Sequence, residues 1–210
     1  MIFHDRTEAG RQLAAALAFL RGREKVVVLG IPRGGVVVAA EVARALAAPL
    51  DLWFAHKIGA PGNPEFAIGS VAETGEPQLD LSLLQLVHIS REYLDREIAV
   101  QRAELARRAA FYRGDRARLD VAGKSIVVVD DGLATGATAL AALQSLRAQN
   151  PAQLILAAPV APPGLATNFA PVAEKVVILH EPPGFAAVGQ FYEKFGQVSD
   201  EEVVQLMRNS

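Results

Sequence analysis

The chain has 210 residues, 51% of them hydrophobic and 21% charged, with a formal net charge of −2 at pH 7. This balance excludes an intrinsically disordered chain, its length allows one well-filled core, and its near-neutral charge argues against a dedicated nucleic-acid binder. The absence of cysteine excludes disulfides, zinc–thiolate sites and a cysteine nucleophile, and His4, His56, His88 and His180 are scattered without metal-ligand spacing.

Residues 8–21 read as a helix, with Leu13, Leu17 and Leu20 at helical spacing and Gly22 as a stop. Val26–Leu29 is an unbroken β-branched run, the pattern of a strand buried on both faces of a parallel sheet. A glycine-rich turn follows, then a helix over 36–46 ended by Pro49, then a strand over 50–54. Residues 57–77 change character, with four Gly and three Pro, and read as a long mobile loop or as a loop with a short hairpin around 66–72. The longest helix spans 90–113, entered through Ser90 as N-cap. It carries a narrow stripe of Leu94, Ile98, Leu105 and Ala109, with Arg91–Asp95, Glu92–Arg96 and Glu104–Arg108 as charge pairs.

Ile126–Val129 is a third buried strand, followed by a loop and a helix over 136–147. A strand over 154–158, a helix near 164–169, a strand over 176–179 and a helix over 200–207 complete the chain. Strands separated by helical patterns mean βαβ units, so the fold class is α/β, a Rossmann-like parallel sheet flanked by helices. One domain over 1–210 is expected, with 57–113 as an excursion within it. The first residues lack the basic and apolar regions of a signal peptide. The most apolar stretch, 26–40, is broken by Pro32, Arg33, Gly34 and Gly35, well short of the roughly 20 apolar residues that span a bilayer. A soluble, cytoplasmic protein with no membrane or nucleic-acid partner is the expectation.

Ligands of open α/β sheets bind beyond the carboxyl ends of the strands, and two of those ends are chemically loaded. After Ile126–Val129 come Asp130, Asp131, Gly132, Leu133, Ala134, Thr135, Gly136, Ala137 and Thr138. Small residues let backbone N–H groups converge on an anion at a helix N-terminus, and Thr135 and Thr138 add hydroxyls. The turn suits a phosphate monoester, while Asp130 and Asp131 suit ribose hydroxyls or a hydrated Mg²⁺ beside it. It is neither a Walker A loop nor a dinucleotide fingerprint.

The stretch from Ile126 to Thr138 resembles the phosphoribosyl-pyrophosphate (PRPP) motif of the type I phosphoribosyltransferases, and the resemblance implies that fold with a small hood or lid. Ile31-Pro32-Arg33-Gly34-Gly35 is similar to the family's pyrophosphate turn, which often contains a non-proline cis peptide, expected here at the bond entering Arg33. Segment 57–77 matches the family's flexible catalytic loop by position, with Lys57, Asn63, Glu65 and Glu73 as contributors and 57–113 as lid and covering helix. Glu174–Leu179 followed by Phe185–Gly189 resembles the base-recognition part of the hypoxanthine-guanine enzymes, which implies base-binding roles for Lys175, Phe185 and Val188. Where 6-oxopurine enzymes carry an aspartate three residues after the acidic pair, this chain has Ala134, as in orotate and adenine enzymes. The whole chain also resembles stand-alone phosphoribosyltransferase-domain proteins of unestablished acceptor, through Asp5-Arg6 with Ala9-Gly10, I-P-R-G-G, K-I-G-A-P-G-N-P-E and D-D-G-L-A-T-G-A-T.

The resemblance implies a homodimeric phosphoribosyltransferase that binds PRPP with Mg²⁺ and transfers phosphoribosyl to a nitrogen acceptor such as a nucleobase, as in nucleotide salvage, releasing pyrophosphate. Arg33, Lys57, Asp130 and Asp131 would be catalytic. Arg33, Gly34, Gly35, Asp130, Asp131, Gly132, Ala134, Thr135, Gly136, Ala137 and Thr138 would bind PRPP, with Mg²⁺ held by Asp130 and Asp131 through water. A non-catalytic PRPP or nucleotide sensor is the alternative. A hydrolase is a weaker third reading, since Ser70 lies outside a nucleophile-elbow motif and no histidine is placed to serve it.

Overall fold

The computed structural model describes residues 1–209, with the side chains of Pro64 and Glu65 outside the description. Helix α1 (Arg6–Ala16) starts where the Asp5 carboxylate accepts the Glu8 amide at 2.8 Å. The helix expected to reach residue 21 ends earlier and tightens into a 3₁₀ turn over Ala18–Leu20, which still buries Leu13, Leu17 and Leu20. Strand β1 (Val26–Gly30), helix α2 (Gly34–Leu46) and strand β2 (Leu50–Leu52) follow. β2 stops short of Phe54 because β1 ends at Gly30, the Trp53 amide to Gly30 O being the last rung of their ladder, yet Trp53 and Phe54 stay buried.

Segment 57–77, expected to be largely loop, is mostly strand. β3 (Ala55–Ala60) and β4 (Asn63–Ala72) form an antiparallel hairpin longer than the one expected around 66–72, and β5 (Gln78–Leu79) adds a third strand. Register shifts at Ile58/Gly59 and Gly59/Ala60 break the alternation that would have announced β3. Helix α3 (Leu81–Leu86), which buries no residue, leads to α4 (Arg91–Arg113), whose Ser90 hydroxyl accepts the Tyr93 amide. Leu94, Leu105 and Ala109 are buried as expected, and Arg91 pairs with Asp95. Glu104 pairs with Arg107 rather than Arg108, because Arg108 turns to Tyr112.

β6 (Ser125–Val129), α5 (Ala137–Arg147), β7 (Gln153–Val160), β8 (Lys175–His180) and α6 (Asp200–Arg208) complete the fold, with 3₁₀ turns at Leu165–Phe169 and Val188–Phe191. The main sheet runs β2-β1-β6-β7-β8, and every pairing in it is parallel. Successive residues face opposite sides, so Val26, Val28, Val127 and Val129 enter a core under α1, α2, α4 and α6. Val27, Leu29, Ile126 and Val128 enter the other core, under α5. Because the chain continues from β1 to β2 on one side and to β6 on the other, strand order reverses between β1 and β6, and a crevice opens there at the carboxyl ends.

A buried ion cluster fixes the second sheet to the first. The Arg113 Nε and Nη1 groups donate to Asp51 and Glu73, each at 2.7 Å, and Nη2 donates to Leu52 O. Among the described residues, no helix is long and apolar enough to cross a membrane.

Candidate functional site

β1 and β6 are neighbours in register, with Gly30 opposite Val129, so the two loaded loops leave the sheet at one level. They are packed on each other so closely that side chains are excluded. A Cβ on Gly34 would collide with Asp131 Oδ2, and one on Gly35 would meet Asp130 Cα at 2.8 Å. Glycine at both places is therefore a steric requirement. Gly30 lies under Val36 Cα for the same reason, at 2.9 Å. The Pro32–Arg33 bond is cis, at the position expected.

The two helices that open from these loops begin without a side-chain cap. α2 starts at Arg33–Gly34, and α5 starts after Gly136, which has φ +75. Thr135 Oγ1 accepts the Ala137 amide at 3.3 Å, and Thr138, in the first turn of α5, is exposed to solvent. Such a terminus is a ready anion seat. Gly136 is pressed against Phe169 Cζ, 2.6 Å from where a Cβ would lie, which anchors the turn to the core.

Asp130 Oδ1 accepts the Asp131 amide at 2.9 Å. Burial pushes the Asp130 carboxyl well above the usual carboxylate range, and the neighbouring Asp131 charge adds to that rise. Asp131 instead has a cation of its own. Arg6 Nε donates to Asp131 Oδ2 at 2.6 Å, with the two side chains only 11% and 15% exposed. The Tyr192 hydroxyl donates to Asp131 O at 2.6 Å, and burial raises its pKa far above the phenolic range. Arg6 and Tyr192 are site residues that sequence reasoning missed; Arg6 lay in the quoted D-R-x-x-A-G start but had no chemistry attached to it.

Two cavities flank the loops. One, of about 550 Å³, lies between Thr135, Ala137 and Thr138 on one side and His56, Lys57 and Gln101 on the other. Lys57 is thus brought to the same space as the α5 terminus. The His56 ring bonds Gln101, which in turn donates to Glu97, forming a polar wall that the sequence did not announce. The second cavity, about 280 Å³, is lined by Arg33, Arg107, Arg108, Tyr112 and Asp200. Arg33 Nη1 lies 3.4 Å from Asp200, whose other neighbour is the Tyr112 hydroxyl at 2.5 Å.

Other expected residues are placed elsewhere. The Glu73 side chain is buried against Arg113, so the loop role read for it is replaced by a structural one. Asn63 is exposed beside the hairpin turn, and the Glu65 side chain lies outside the described residues. Lys175 is not at the site. It begins β8 level with Ile155 and Val127, three residues before Asp130 and so about 10 Å short of the loops along the strand direction. Its Nζ instead lies over the Phe19 ring at 3.8 Å. Phe185 stacks on Phe191 with ring centroids 5.4 Å apart. Val188 does reach the loop, with Cγ1 in the space that a Cβ on Gly132 would need.

The donor set fits a Mg²⁺ shared with a ligand. Asp130 and Asp131 are adjacent carboxylates, and no group of three or more His, Cys, Asp or Glu able to hold a metal occurs among the described residues. Mg²⁺ is commonly held by one or two carboxylates, its waters and substrate phosphates, which is the arrangement these residues allow.

A family model described as the phosphoribosyl transferase domain matches residues 3–178. Two Mycobacterium tuberculosis proteins, from strains CDC 1551 / Oshkosh and ATCC 25618 / H37Rv, each bear the name "Putative phosphoribosyl transferase" and are 46% identical over 206 residues. The match covers 98% of this chain and 46% of theirs, so the chain spans about half the length of these relatives. Among solved structures, the crystal structure of TT1426 from Thermus thermophilus matches with a TM-score of 0.91 and 47% identity, covering 100% of this chain and 99% of that one.

Proposed function

The chain belongs to the phosphoribosyl transferase domain family, and from that premise we propose that it binds PRPP with Mg²⁺ and transfers the phosphoribosyl group to a nitrogen acceptor, releasing pyrophosphate. The single observation that carries this reading is the packing of the Gly34–Gly35 turn directly on Asp130 and Asp131, which joins a diphosphate-suited turn to a ribose-suited acid pair. The first-turn N–H groups of α5, with Thr135 and Thr138, take the 5′-phosphate. Ala134, Gly136 and Ala137 keep side chains out of its way. Gly34, Gly35 and Arg33 take the diphosphate, and Arg33 exchanges its 3.4 Å contact with Asp200 for the ligand.

Asp130 and Asp131 would hold Mg²⁺ through water, and the bound ion would neutralise charge on the diphosphate. As the C1′–O bond breaks, diphosphate leaves with that bond's electron pair, the acceptor nitrogen forms the C1′–N bond, and its proton passes to solvent. The protein's contribution is position and fixed dipoles aimed at the developing charge. The β3–β4 hairpin with α4 is read as the lid that excludes water from the ribosyl centre, with Lys57 on its inner side. Phe185 and Val188 remain the residues read as facing the acceptor.

The test is a panel of purine, pyrimidine and amine acceptors with PRPP and Mg²⁺, read by pyrophosphate release. Release with one acceptor class establishes the transferase. PRPP binding with no release from any acceptor identifies a sensor instead.

A further inference from the structure

The Arg33 turn leaves the sheet from β1, with β6 and its acid pair on one side and β2 on the other. Gly30 pairs with Leu52, so Phe54, two residues past β2, lies beyond the same carboxyl ends as the loops. Two α4 side chains rest on that ring. Tyr112 stacks on it with centroids 5.9 Å apart, and the Arg108 guanidinium lies 5.7 Å from its centre. With Arg33 and the more exposed Arg107, which is paired with Glu104, they line the cavity of about 280 Å³.

That cavity already holds an anion of the protein's own. Asp200 Oδ1 accepts the Tyr112 hydroxyl at 2.5 Å and lies 3.4 Å from Arg33 Nη1. The Tyr112 hydrogen bond, with the Arg33 and Arg108 charges, holds this carboxyl below the usual carboxylate range. No capping duty keeps the carboxylate there, since Ser199 caps α6 by accepting the Glu202 amide. Its side chain is 47% exposed, so it can turn out to solvent.

We propose that Arg108 and Tyr112 of α4 complete, with Arg33, a seat for the outer phosphate of the PRPP diphosphate, and that Asp200 competes for that seat in the free protein. This rests on the PRPP-binding reading above for the source of the anion. Three adjacent strands, spaced about 4.8 Å apart, order the ligand: ribose at the β6 acids, inner phosphate at the β1 turn, outer phosphate beyond β2. Two guanidinium groups and a phenol supply more donors than one carboxylate uses, and a phosphate takes them all. While Asp200 sits there, apparent affinity falls to the fraction of molecules in which the seat is open. The C-terminal helix thereby sets how tightly the diphosphate is held.

The experiment is calorimetry at fixed ionic strength with three probes, each with Mg²⁺: pyrophosphate, PRPP and ribose 5-phosphate. Asp200→Asn is expected to tighten pyrophosphate and PRPP about three- to tenfold, a gain that a loosened fold does not produce. Arg108→Gln is expected to weaken both about tenfold. Ribose 5-phosphate, which carries no diphosphate, is expected to stay within about twofold in both variants. Glu201→Gln removes the same charge one residue further along α6 and is expected to move each affinity by less than about twofold. That control separates the seat from long-range charge.

Pyrophosphate and PRPP affinities that Asp200→Asn leaves unchanged or weakened overturn the proposal, as does an equal gain in Glu201→Gln or an equal shift with ribose 5-phosphate. Pyrophosphate binding that persists under saturating PRPP also overturns it, by assigning the seat to a free anion. Should the parent bind no PRPP, the functional reading fails separately, and pyrophosphate decides the seat. Tightened by Asp200→Asn and weakened by Arg108→Gln, it supports a diphosphate seat; unbound or unmoved, it overturns one.

Discussion

Asp131 Oδ2 occupies the place that a side chain at Gly34 would need. The turn after β1 and the acid pair after β6 are therefore one packed unit. Gly34→Ala is expected to push Asp131 off Arg6, lowering the melting temperature by about 3–10 °C, from an overpacking cost of roughly 1–3 kcal/mol. Calorimetry on the same variant should show PRPP affinity falling with it; an unchanged affinity and melting point would show that the turn yields without cost.

Removing both carboxylates tests the ribose side directly. Asp130→Asn with Asp131→Asn is expected to leave no measurable heat of binding for PRPP with Mg²⁺. Retained affinity would move the ligand away from this loop.

The Arg113 cluster is a stability element that the proposed chemistry does not use. Arg113→Met leaves Asp51 and Glu73 as buried charges without their cation, and burial of such a charge costs roughly 3–5 kcal/mol. A drop in melting temperature of about 6–15 °C is expected by differential scanning calorimetry. Loss of less than a quarter of that would mean the cluster is easily rehydrated.

Glu174 links stability to acid. Burial pushes its carboxyl up, but the Leu154 amide at 2.6 Å and Arg147 at 2.7 Å outweigh that and hold it below the ordinary 4.5. A carboxyl depressed on folding stabilises above its unfolded value, and the gain fades as pH falls through the folded one. Glu174→Gln should therefore melt about 1–3 °C lower than the parent at pH 7, a modest effect because the pair is partly exposed. Once the pH falls below the folded value, the two proteins should converge. A gap that persists there would assign the effect to packing.

The sequence made the parallel sheet legible because buried strands such as Val26–Leu29 and Ile126–Val129 are continuous apolar runs with no competing period. The loops were legible for a related reason: only small residues fit where two turns touch, so Gly34, Gly35 and Gly132 stand out. The β3–β4 hairpin was not, since its bulges and its glycines and prolines erase the alternation a strand normally shows. α3 is six residues long, too short for a helical period to show, although four of the six are leucine. Lys175 and Glu73 were misjudged because position along a strand, and which carboxylate meets a distant Arg113, are set by tertiary packing. The role of Arg6 depends on a partner 125 residues away, and no local pattern marks it.

The level pairing of Gly30 with Val129 has a consequence for how this protein tolerates change. A single residue inserted within β6 would carry Asp130 to the opposite side of the sheet while leaving the ladder almost as well bonded as before. Because Val127 and Val129 fill one core and Ile126 and Val128 the other, such a chain would also mispack any β6 residue beyond the insertion, losing stability together with its crevice. Length variation is thus admissible at the tip between Ala60 and Asn63 and forbidden inside the two central strands, where residue count serves as the molecule's measuring rod.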